Sequence, residues 1–375
     1  MENELIELCK AFNIEGEFDS IEVINNGHIN STFLVRFLEN GKIKEYVLQK
    51  INKYVFKQPE NVMENIVEVT GHINKKLKKQ NKSTDRKTLN FKFAKDGNPF
   101  VVDEFGDYWR VCDFIGHSIT FNETKDLRII EETGKAFGEF QGLLADFPAE
   151  NLSITIPHFH NTPNRYNIFR NTLERNPLGR AEFVEDEIES YLEIEDIVSQ
   201  MYAMQKSGDL KLKVTHNDTK CNNVLFDKDS KKFLCVIDLD TVMPGLLGFD
   251  FGDAIRFIAN TAAEDETDLA KVELDIEKYK AFATGFLNEI GNRISAQERK
   301  TLALGAITMT AECGLRFLTD YIDGDNYFKI SYPEHNLDRA RCQLKLAESM
   351  LENQKQMEDI IEEISASKET QKKVN

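Results

Sequence analysis

A short stretch near the middle of the chain holds polar residues of the types that phosphoryl transfer requires. Within the run VTHNDTKCNN (214–223), His216 and Asp218 precede Asn223, and the apolar run CVI (235–237) then ends at Asp238. Phosphoryl transfer needs a carboxylate near the acceptor hydroxyl and oxygen ligands for Mg²⁺. Asp218 is therefore the candidate base, Asn223 and Asp238 are candidate Mg²⁺ ligands, and His216 is expected to brace the loop.

Each of these residues also has a plainer interpretation. Asn223 and its neighbours could form a polar surface turn, and Asp238 could simply end a strand. The ordered set favours catalysis, because apolar strands on both sides would hold the polar groups in a fixed arrangement.

The N-terminal part of the chain is predicted to form a small antiparallel sheet. The runs at 21–24, 31–38 and 45–51 alternate between apolar and polar residues, and Asn40-Gly41 is a strong hairpin signal. Further strands are predicted at 89–94 and 108–115. Pro59 opens a run with apolar residues at helical spacing, which ends in lysines.

Two features of this sheet could contact a nucleotide. Lys50 ends the third strand, where a protein-kinase-like lobe carries a phosphate-contacting lysine paired with a helix glutamate. Glu64 is the predicted partner, with Glu60 and Glu68 as alternatives, although a lone lysine in a strand is often simply solvated. The turn at 26–31 lies where a phosphate-covering loop would be expected, but it has one glycine and a plain hairpin turn explains it equally well.

The rest of the chain is mostly helical in pattern. Apolar residues recur with a period near 3.6 over 125–144, 184–206, 272–290, 296–312 and 334–364. We therefore predict an α+β, protein-kinase-like two-lobed fold, with a small antiparallel-sheet N-lobe (1–115) and a larger, mainly helical C-lobe (116–364). Residues 365–375 are expected to form a flexible, frayed tail.

Composition narrows the classes of partner. The formal net charge is -17, which disfavours nucleic acid and anionic membranes as partners. No apolar run approaches the roughly 18 residues of a membrane span, and the N-terminus lacks a signal-peptide pattern. The six cysteines show no metal or redox spacing. We expect a cytoplasmic monomer with reduced, mostly buried thiols.

The sequence resembles the aminoglycoside phosphotransferase and choline kinase superfamily over about residues 20–350. The resemblance is carried by NGHIN (26–30), YVLQKIN (46–52), THNDTKCNNVLFD (215–227), CVIDLDTVMPG (235–245), DFGDAIR (250–256) and GLRFLTDYIDGDNYF (314–328). Within the superfamily, these runs are most similar to the N-acetylhexosamine kinases, which phosphorylate the anomeric hydroxyl of GlcNAc and GalNAc.

That resemblance implies ATP and Mg²⁺ as co-substrate and cofactor, and a sugar as acceptor. It implies Asp218 as the base and Asn223 and Asp238 as Mg²⁺ ligands. It places adenine near Asp113, Phe114 and Ile115, and it suggests sugar contacts from His28, Asp240, Arg316 and Tyr327.

Several of these residues admit other roles. Asp240 follows Asp238 by two and is expected on the same side of the strand end. Arg316 could instead pair with Asp320 at i+4, and Tyr327 could belong to the core.

The histidines and acids near these runs add little to the site. Asp250 and Asp253 are predicted to cap and brace the next helix. His158 and His160 have no evident third metal ligand and no assigned role.

Two other functions remain open. The same reaction could act on an aminoglycoside, choline, homoserine or another sugar, although Arg316 argues against a cationic acceptor. A non-catalytic nucleotide-binding scaffold is disfavoured, because Asp218, Asn223 and Asp238 are all present.

Overall fold

The computed structural model describes residues 2–24 and 30–374, and side chains are described within residues 4–367 of these ranges. The helices are α1 Glu2–Ala11, α2 Pro59–Lys79, α3 Leu127–Leu144, α4 Thr162–Arg175, α5 Glu185–Glu193, α6 Glu195–Val198, α7 Gln200–Ser207, α8 Leu247–Ile258, α9 Ile276–Ile290, α10 Ala296–Lys300, α11 Leu302–Asp323, α12 His335–Glu352 and α13 Gln354–Val374. The strands are β1 Glu17–Val23, β2 Ser31–Glu39, β3 Lys42–Lys50, β4 Phe91–Lys92, β5 Val101–Val102, β6 Tyr108–Asp113, β7 Ser118–Ile119, β8 Lys213–Thr215, β9 Val224–Asp227, β10 Phe233–Val236 and β11 Met243–Gly245.

These elements form two compact units. The first, here called the sheet unit, comprises Met1–Thr120, Asp146–Pro157 and Leu225–Met243. The second, the helical unit, comprises Phe121–Ala145, His158–Val224 and Pro244–Asn375. An antiparallel sheet in one unit and helices in the other confirm the predicted α+β fold class, while the lobe boundaries at 115 and 364 stay predictions.

The main sheet is antiparallel, with strand order β1-β2-β3-β6-β4 and with β5 paired to β6. Its β2–β3 hairpin turns at Asn40 and Gly41, which have φ values of 50° and 78°. Two successive positive φ angles define the tight turn that Asn-Gly favours. The predicted hairpin is therefore confirmed.

The two faces of this sheet carry different chemistry. Lys50 pairs directly with Trp109, and Gln49 pairs with Arg110 on the neighbouring rung. Trp109 belongs to the apolar core that packs against α1. Because side chains alternate along a strand, Lys50 shares the Trp109 face, whereas Gln49 and Arg110 project from the opposite face. On that second face, Arg110 contacts Met63 of α2.

In the helical unit, α8 and α11 approach each other at glycines. A Cβ atom added to Gly252 of α8 would lie 2.2 Å from the carbonyl oxygen of Gly305. Only glycine permits backbones to come this close, so the position of α8 is fixed by direct backbone packing.

The last helix continues past residue 364, while the flexible tail predicted for 365–375 stays a prediction. The backbone of α13 remains helical to Val374, through the residues predicted to form a frayed tail. Its residues after 364 include alanine, lysine, glutamate and glutamine, which are good helix formers even without an apolar stripe. None of the described helices is both long and apolar enough to span a bilayer.

The predicted burial of most cysteines is confirmed. All six are free, five of them are buried, and Cys313 is partly buried.

Candidate active site

The loop after β8 brings the candidate base and one candidate metal ligand together within the helical unit. The amide nitrogen of Asn223 donates to the backbone oxygen of Asp218 at 2.9 Å and to its Oδ2 at 3.0 Å. Asn223 closes a 3₁₀ turn, and its backbone N–H donates to the carbonyl oxygen of Lys220. Hydrogen bonds from its backbone nitrogen and from its side-chain nitrogen thus fix the orientation of Asn223. Its Oδ1 accepts no hydrogen bond from the described residues.

Lys220 is a further member of this loop that the sequence reasoning missed. Its Nζ lies 2.9 Å from Oδ1 of Asp218. Burial acts to lower the pKa of the Lys220 ammonium, but the carboxylates of Asp218 and Asp253 outweigh burial, so this pKa is raised. A permanent cation therefore sits beside the candidate base, where it can balance negative charge that develops during transfer.

Two acidic residues of α8 accept hydrogen bonds from the backbone of this loop. Asp250 accepts hydrogen bonds from the backbone N–H groups of His216 and Asn217, both at 2.8 Å. Asp253 accepts from the backbone N–H of Thr219, also at 2.8 Å. The predicted capping role is wrong, because both acids lie inside α8 and bind the loop instead of the first N–H groups of their own helix.

These two carboxylates differ in their electrostatic surroundings. Burial raises the pKa of Asp250, although Gln141 and the loop N–H groups stabilise its charged form. Burial also acts to raise the pKa of Asp253, but Arg256 and Lys220 outweigh burial and lower it. Asp253 is thus a charged link between the loop and the interior of the helical unit.

His216 braces the loop, as predicted. The residue is fully buried, and its ring lies edge-on to Phe137 and Phe140, with centroid distances of 5.6 and 5.9 Å. Its Nδ1 accepts a hydrogen bond from the backbone N–H of Asp218 at 3.3 Å. The imidazole therefore holds the backbone of Asp218 in position through this hydrogen bond.

Asp238 and Asp240 belong to the sheet unit and differ in burial. Asp238 follows β10 with the left-handed angles φ 58° and ψ 59°, and its side chain is exposed. Asp240 is 3% exposed, forms an ion pair with Arg110, and accepts from Asn30 at 2.7 Å. The strand ends before Asp238 and a 3₁₀ turn follows it, but the carboxylates of Asp240 and Asp238 both act to raise the pKa of Arg110. That the two project to one side stays a prediction.

Lys50 does not form the predicted pair with Glu64. Its Nζ lies 3.2 Å from Oδ2 of Asp107, while Glu64 is exposed on α2. The reason is strand alternation, since α2 packs on the face that carries Arg110 and Lys50 projects from the other face. On the α2 face, the buried cation is Arg110.

The residues predicted to lie near adenine follow β6. Asp113 forms an ion pair with Lys92 at 2.8 Å, and Phe114 is partly buried. The carbonyl oxygen of Ile115 accepts from the Ser118 hydroxyl at 2.6 Å. Their contact with a nucleotide stays a prediction.

Arg316 and Tyr327, both predicted sugar contacts, lie together in the helical unit. The Arg316 guanidinium is 5.8 Å from the centroid of the Tyr327 ring, and it also lies 5.7 Å from Phe159 and 5.3 Å from Phe328. Tyr327 is 68% exposed, so the alternative of a core role does not hold. Within the described ranges, Arg316 forms no ion pair.

Asp320 is not the partner of Arg316. It accepts hydrogen bonds from the backbone N–H groups of Asn326, Tyr327 and Phe328, at 3.0, 2.8 and 2.9 Å. Asp320 thereby fixes the loop that places Tyr327 beside Arg316.

The remaining histidine predictions have different outcomes. His28 lies outside the described residues. His160 binds Glu312 through Nδ1 at 3.0 Å, whereas His158 has a positive φ of 58°. Among the described residues, no group of three or more His, Cys, Asp or Glu could hold a metal ion.

The donor chemistry nevertheless fits Mg²⁺ bound with a nucleotide. Mg²⁺ takes oxygen ligands and usually keeps waters and phosphate oxygens, so one or two protein ligands suffice. The amide nitrogen of Asn223 is engaged by Asp218, which leaves its oxygen as the ligand atom. Asp238 presents an exposed carboxylate.

The chain belongs to a known family of phosphotransferases. The model of the phosphotransferase enzyme family that includes the aminoglycoside phosphotransferases matches residues 20–282. The protein is therefore a small-molecule phosphotransferase.

Solved structures share its fold at low sequence identity. An aminoglycoside phosphotransferase from Alicyclobacillus acidocaldarius has a TM-score of 0.65 at 10% identity, covering 96% of each chain. A spectinomycin phosphotransferase in complex with ADP and spectinomycin has a TM-score of 0.58 at 13% identity, covering 94% of this chain and 98% of that one. Choline kinase from Cryptosporidium parvum has a TM-score of 0.57 at 14% identity, covering 96% and 97%.

Proposed function

We propose that this phosphotransferase uses ATP and Mg²⁺ to phosphorylate the anomeric hydroxyl of N-acetylhexosamines, giving the sugar 1-phosphate. The observation that carries the phosphotransfer chemistry is the bonding of Asn223 to Asp218 in a loop braced by α8. The acceptor is inferred from two features. The runs around Asp238 and Arg316 resemble those of the N-acetylhexosamine kinases, and Arg316 lies among aromatic rings without an ion-pair partner in the described part of the chain.

The chain's own residues have the following roles. Asp218 orients the acceptor hydroxyl and takes up its proton as the new O–P bond forms; the bond from the γ-phosphorus to the β,γ-bridging oxygen breaks in the same transfer, and ADP leaves. Lys220 offsets charge beside it, and Asp250 and Asp253 hold the loop backbone so that little reorganisation is needed during reaction. Asn223 and Asp238 would hold Mg²⁺, which neutralises phosphate charge when bound.

Nucleotide binding is assigned to the sheet unit. Asp113, Phe114 and Ile115 are the proposed adenine neighbours. Lys50 remains the candidate for phosphate contact in this ATP site, whereas Glu64, which was assigned to the site as its helix partner, is not paired with it. The ADP in the spectinomycin phosphotransferase complex supports a nucleotide as phosphoryl donor in this fold.

The acceptor side is assigned to Arg316 and Tyr327, and on the resemblance alone to Asp240 and His28. Arg316 carries a positive charge without an ion-pair partner in the described part of the chain. A guanidinium of this kind suits a carbonyl or hydroxyl oxygen and repels a cationic acceptor such as choline or an aminoglycoside. Those acceptors are the alternatives, and the charge of Arg316 disfavours them.

An acceptor screen tests the proposal. The full chain is incubated with ATP, Mg²⁺ and a panel that includes GlcNAc, GalNAc, glucose, galactose, choline, homoserine and kanamycin, and the phosphate position is determined by ³¹P and ¹H NMR. We expect phosphate at C1 of GlcNAc or GalNAc. Transfer only to another acceptor, or to another position of the sugar, would reject the proposal.

A further inference from the structure

His160 is a buried histidine, and one of its two ring nitrogens has no hydrogen-bond partner among the described residues. Its side chain is 7% exposed and its Nδ1 lies 3.0 Å from Oε1 of Glu312, a residue that is 1% exposed. Thr162 donates to the other carboxylate oxygen of Glu312 at 2.6 Å. The Nε2 atom of His160 is buried and has no hydrogen-bond partner within the described ranges. A buried polar atom of this kind costs free energy unless a ligand or water satisfies it.

The Glu312 carboxylate sets the chemistry of that nitrogen. Burial acts to raise the pKa of Glu312, but its interactions with His160, Arg165 and Thr162 together outweigh burial and lower it. An ionised Glu312 accepts the Nδ1 proton of His160. In the neutral imidazole, Nε2 is then a hydrogen-bond acceptor, which suits a hydroxyl group.

His160 lies close to the helix that braces the catalytic loop. Its ring centroid is 5.3 Å from that of Phe249 on α8. Phe249 and Asp253 are four residues apart on this helix and therefore share a face. Asp253 binds the backbone N–H of Thr219, the residue after Asp218. The free nitrogen thus belongs to the same part of the helical unit as the candidate base.

Arg165 adds a second buried polar atom without a partner, this one a donor, to the surroundings of His160. Its Nη2 donates to the carbonyl oxygen of Phe159 at 2.7 Å, while its buried Nε–H has no partner among the described residues. Burial and the positive charge of Arg316 lower the pKa of Arg165. Glu312 is a carboxylate that acts on the charge of Arg165, and Arg316 lies near enough to oppose it. Two neighbouring guanidinium groups beside one carboxylate favour an oxygen-rich ligand without positive charge.

We infer that His160 and Arg165 form an acceptor-binding subsite, in which His160 Nε2 accepts a hydrogen bond from a hydroxyl of the acceptor and Arg165 donates to a neighbouring oxygen. The ligand class is a polyhydroxylated, uncharged or anionic acceptor. This inference rests on the proposed function for the identity of the reaction. It adds two residues that determine which acceptors bind.

The variant His160→Asn separates the two ring nitrogens. The asparagine amide can still donate to Glu312 from near the Nδ1 position, but it has no atom at the position of Nε2. We expect the acceptor KM to rise roughly three- to tenfold, the range for loss of one neutral hydrogen bond, with the KM for ATP unchanged. His160→Gln carries an amide near the Nε2 position and should recover part of the acceptor affinity.

His335 supplies a matched control. It is similarly buried in the same unit and contacts Asp265 through Nε2 at 3.1 Å, but its Nδ1 also has a partner, the backbone N–H of Ser331. We expect His335→Asn to alter thermal stability without changing the acceptor KM. Equal effects of the His160→Asn and His335→Asn substitutions on both KM values would show a purely structural role and overturn the inference.

A binding measurement separates this inference from the proposed reaction. The ¹⁵N resonance of His160 Nε2, assigned by its loss in His160→Asn or in His160→Gln, is followed as GlcNAc, glucose, glucuronate and glucosamine are added without nucleotide. A shift without any turnover would reject the proposed function and retain the subsite. Turnover with an unmoved resonance, or no shift with any of these sugars, would overturn the subsite.

Discussion

Arg110 and Asp240 form an ion pair that is almost completely buried within the sheet unit, with side-chain exposures of 4% and 3%. Gln49 accepts from the Nε–H of Arg110 at 3.1 Å, and Asn30 donates to Asp240 at 2.7 Å, so both charged groups have additional partners. Burial acts to lower the pKa of Arg110, but the charge and hydrogen bond of Asp240, together with the charge of Asp238, outweigh burial and raise it. This pair ties β6 to the 3₁₀ turn that follows Asp238.

The first prediction concerns this pair. Asp240→Asn leaves a buried guanidinium without its counter-charge, and we expect a loss of about 3–5 kcal/mol in the free energy of unfolding. Urea denaturation followed by circular dichroism measures the change. The double variant Arg110→Met, Asp240→Leu should lose less, because it removes both charges. Glu7→Gln, at a mostly exposed pair with Lys10, is the control and should change stability by less than about 1 kcal/mol.

The second prediction concerns Asp218. Asp218→Asn keeps the shape of the side chain but has one oxygen left to accept from either Asn223 or Lys220, and it cannot take up the acceptor proton. We expect turnover to fall by about 10²- to 10⁴-fold. Coupled-enzyme assays measure the rate, and calorimetry should show ATP binding close to that of the wild type. Retained turnover would contradict the role of Asp218 as base.

The third prediction concerns the support from α8. In Asp250→Asn, the side-chain nitrogen would face the N–H of either His216 or Asn217, because both carboxylate oxygens are used by the loop. We expect destabilisation by about 1–3 kcal/mol and a fall in kcat that exceeds any change in KM. Rates should be compared at a temperature at which both proteins are fully folded. An unchanged kcat would show that the loop holds its shape without Asp250.

The fourth prediction concerns the packing of α8 on α11. Gly252→Ala forces a Cβ atom to within 2.2 Å of the Gly305 carbonyl oxygen, and we expect it to destabilise the fold by about 1–3 kcal/mol. Gly71→Ala is the matched control, because Gly71 lies within α2 and an added Cβ meets no atom within 4 Å. This second substitution should stabilise the protein by about 0.5–1 kcal/mol. Thermal unfolding distinguishes the two.

The fifth prediction concerns the thiols. Burial raises the pKa of Cys221 and Cys342 to about 11 and that of Cys9, Cys112 and Cys235 to about 12. At pH 8, we expect slow reaction with a disulfide reagent in the native state and six reactive thiols in denaturant. Since each pKa is raised above the unfolded value of about 9, this contribution to stability is complete below pH 9 and is lost as the pH rises toward 11–12. Fast reaction of five thiols in native protein would contradict it.

Local signals predicted much of the fold. The Asn40-Gly41 hairpin was predictable because its turn geometry depends on those two residues alone. The loop from His216 to Asn223 was predictable as a unit because its polar residues are closely spaced. The helix α4 was missed, since its few buried side chains give a weak periodic pattern.

Other features depended on tertiary context. The partner of Lys50 could not be read from spacing, because it depends on which face of the sheet α2 covers. The burial of Asp240 required Arg110, which is distant in sequence. Asp250 and Asp253 were predicted to cap α8, although their position pointed to another role. Two carboxylates within an otherwise apolar helix indicate polar partners elsewhere in the fold.

The sheet unit is discontinuous in the chain, and this has a consequence for biosynthesis. Its last segment, Leu225–Met243, contributes β9, which hydrogen-bonds to β7 near the end of the first segment. A nascent chain that has emerged only to Thr120 therefore lacks a strand partner for β7. At a ribosomal rate of roughly 5–20 residues per second, the first unit to be translated waits several seconds for completion, an interval in which chaperones would have access to its unpaired edge.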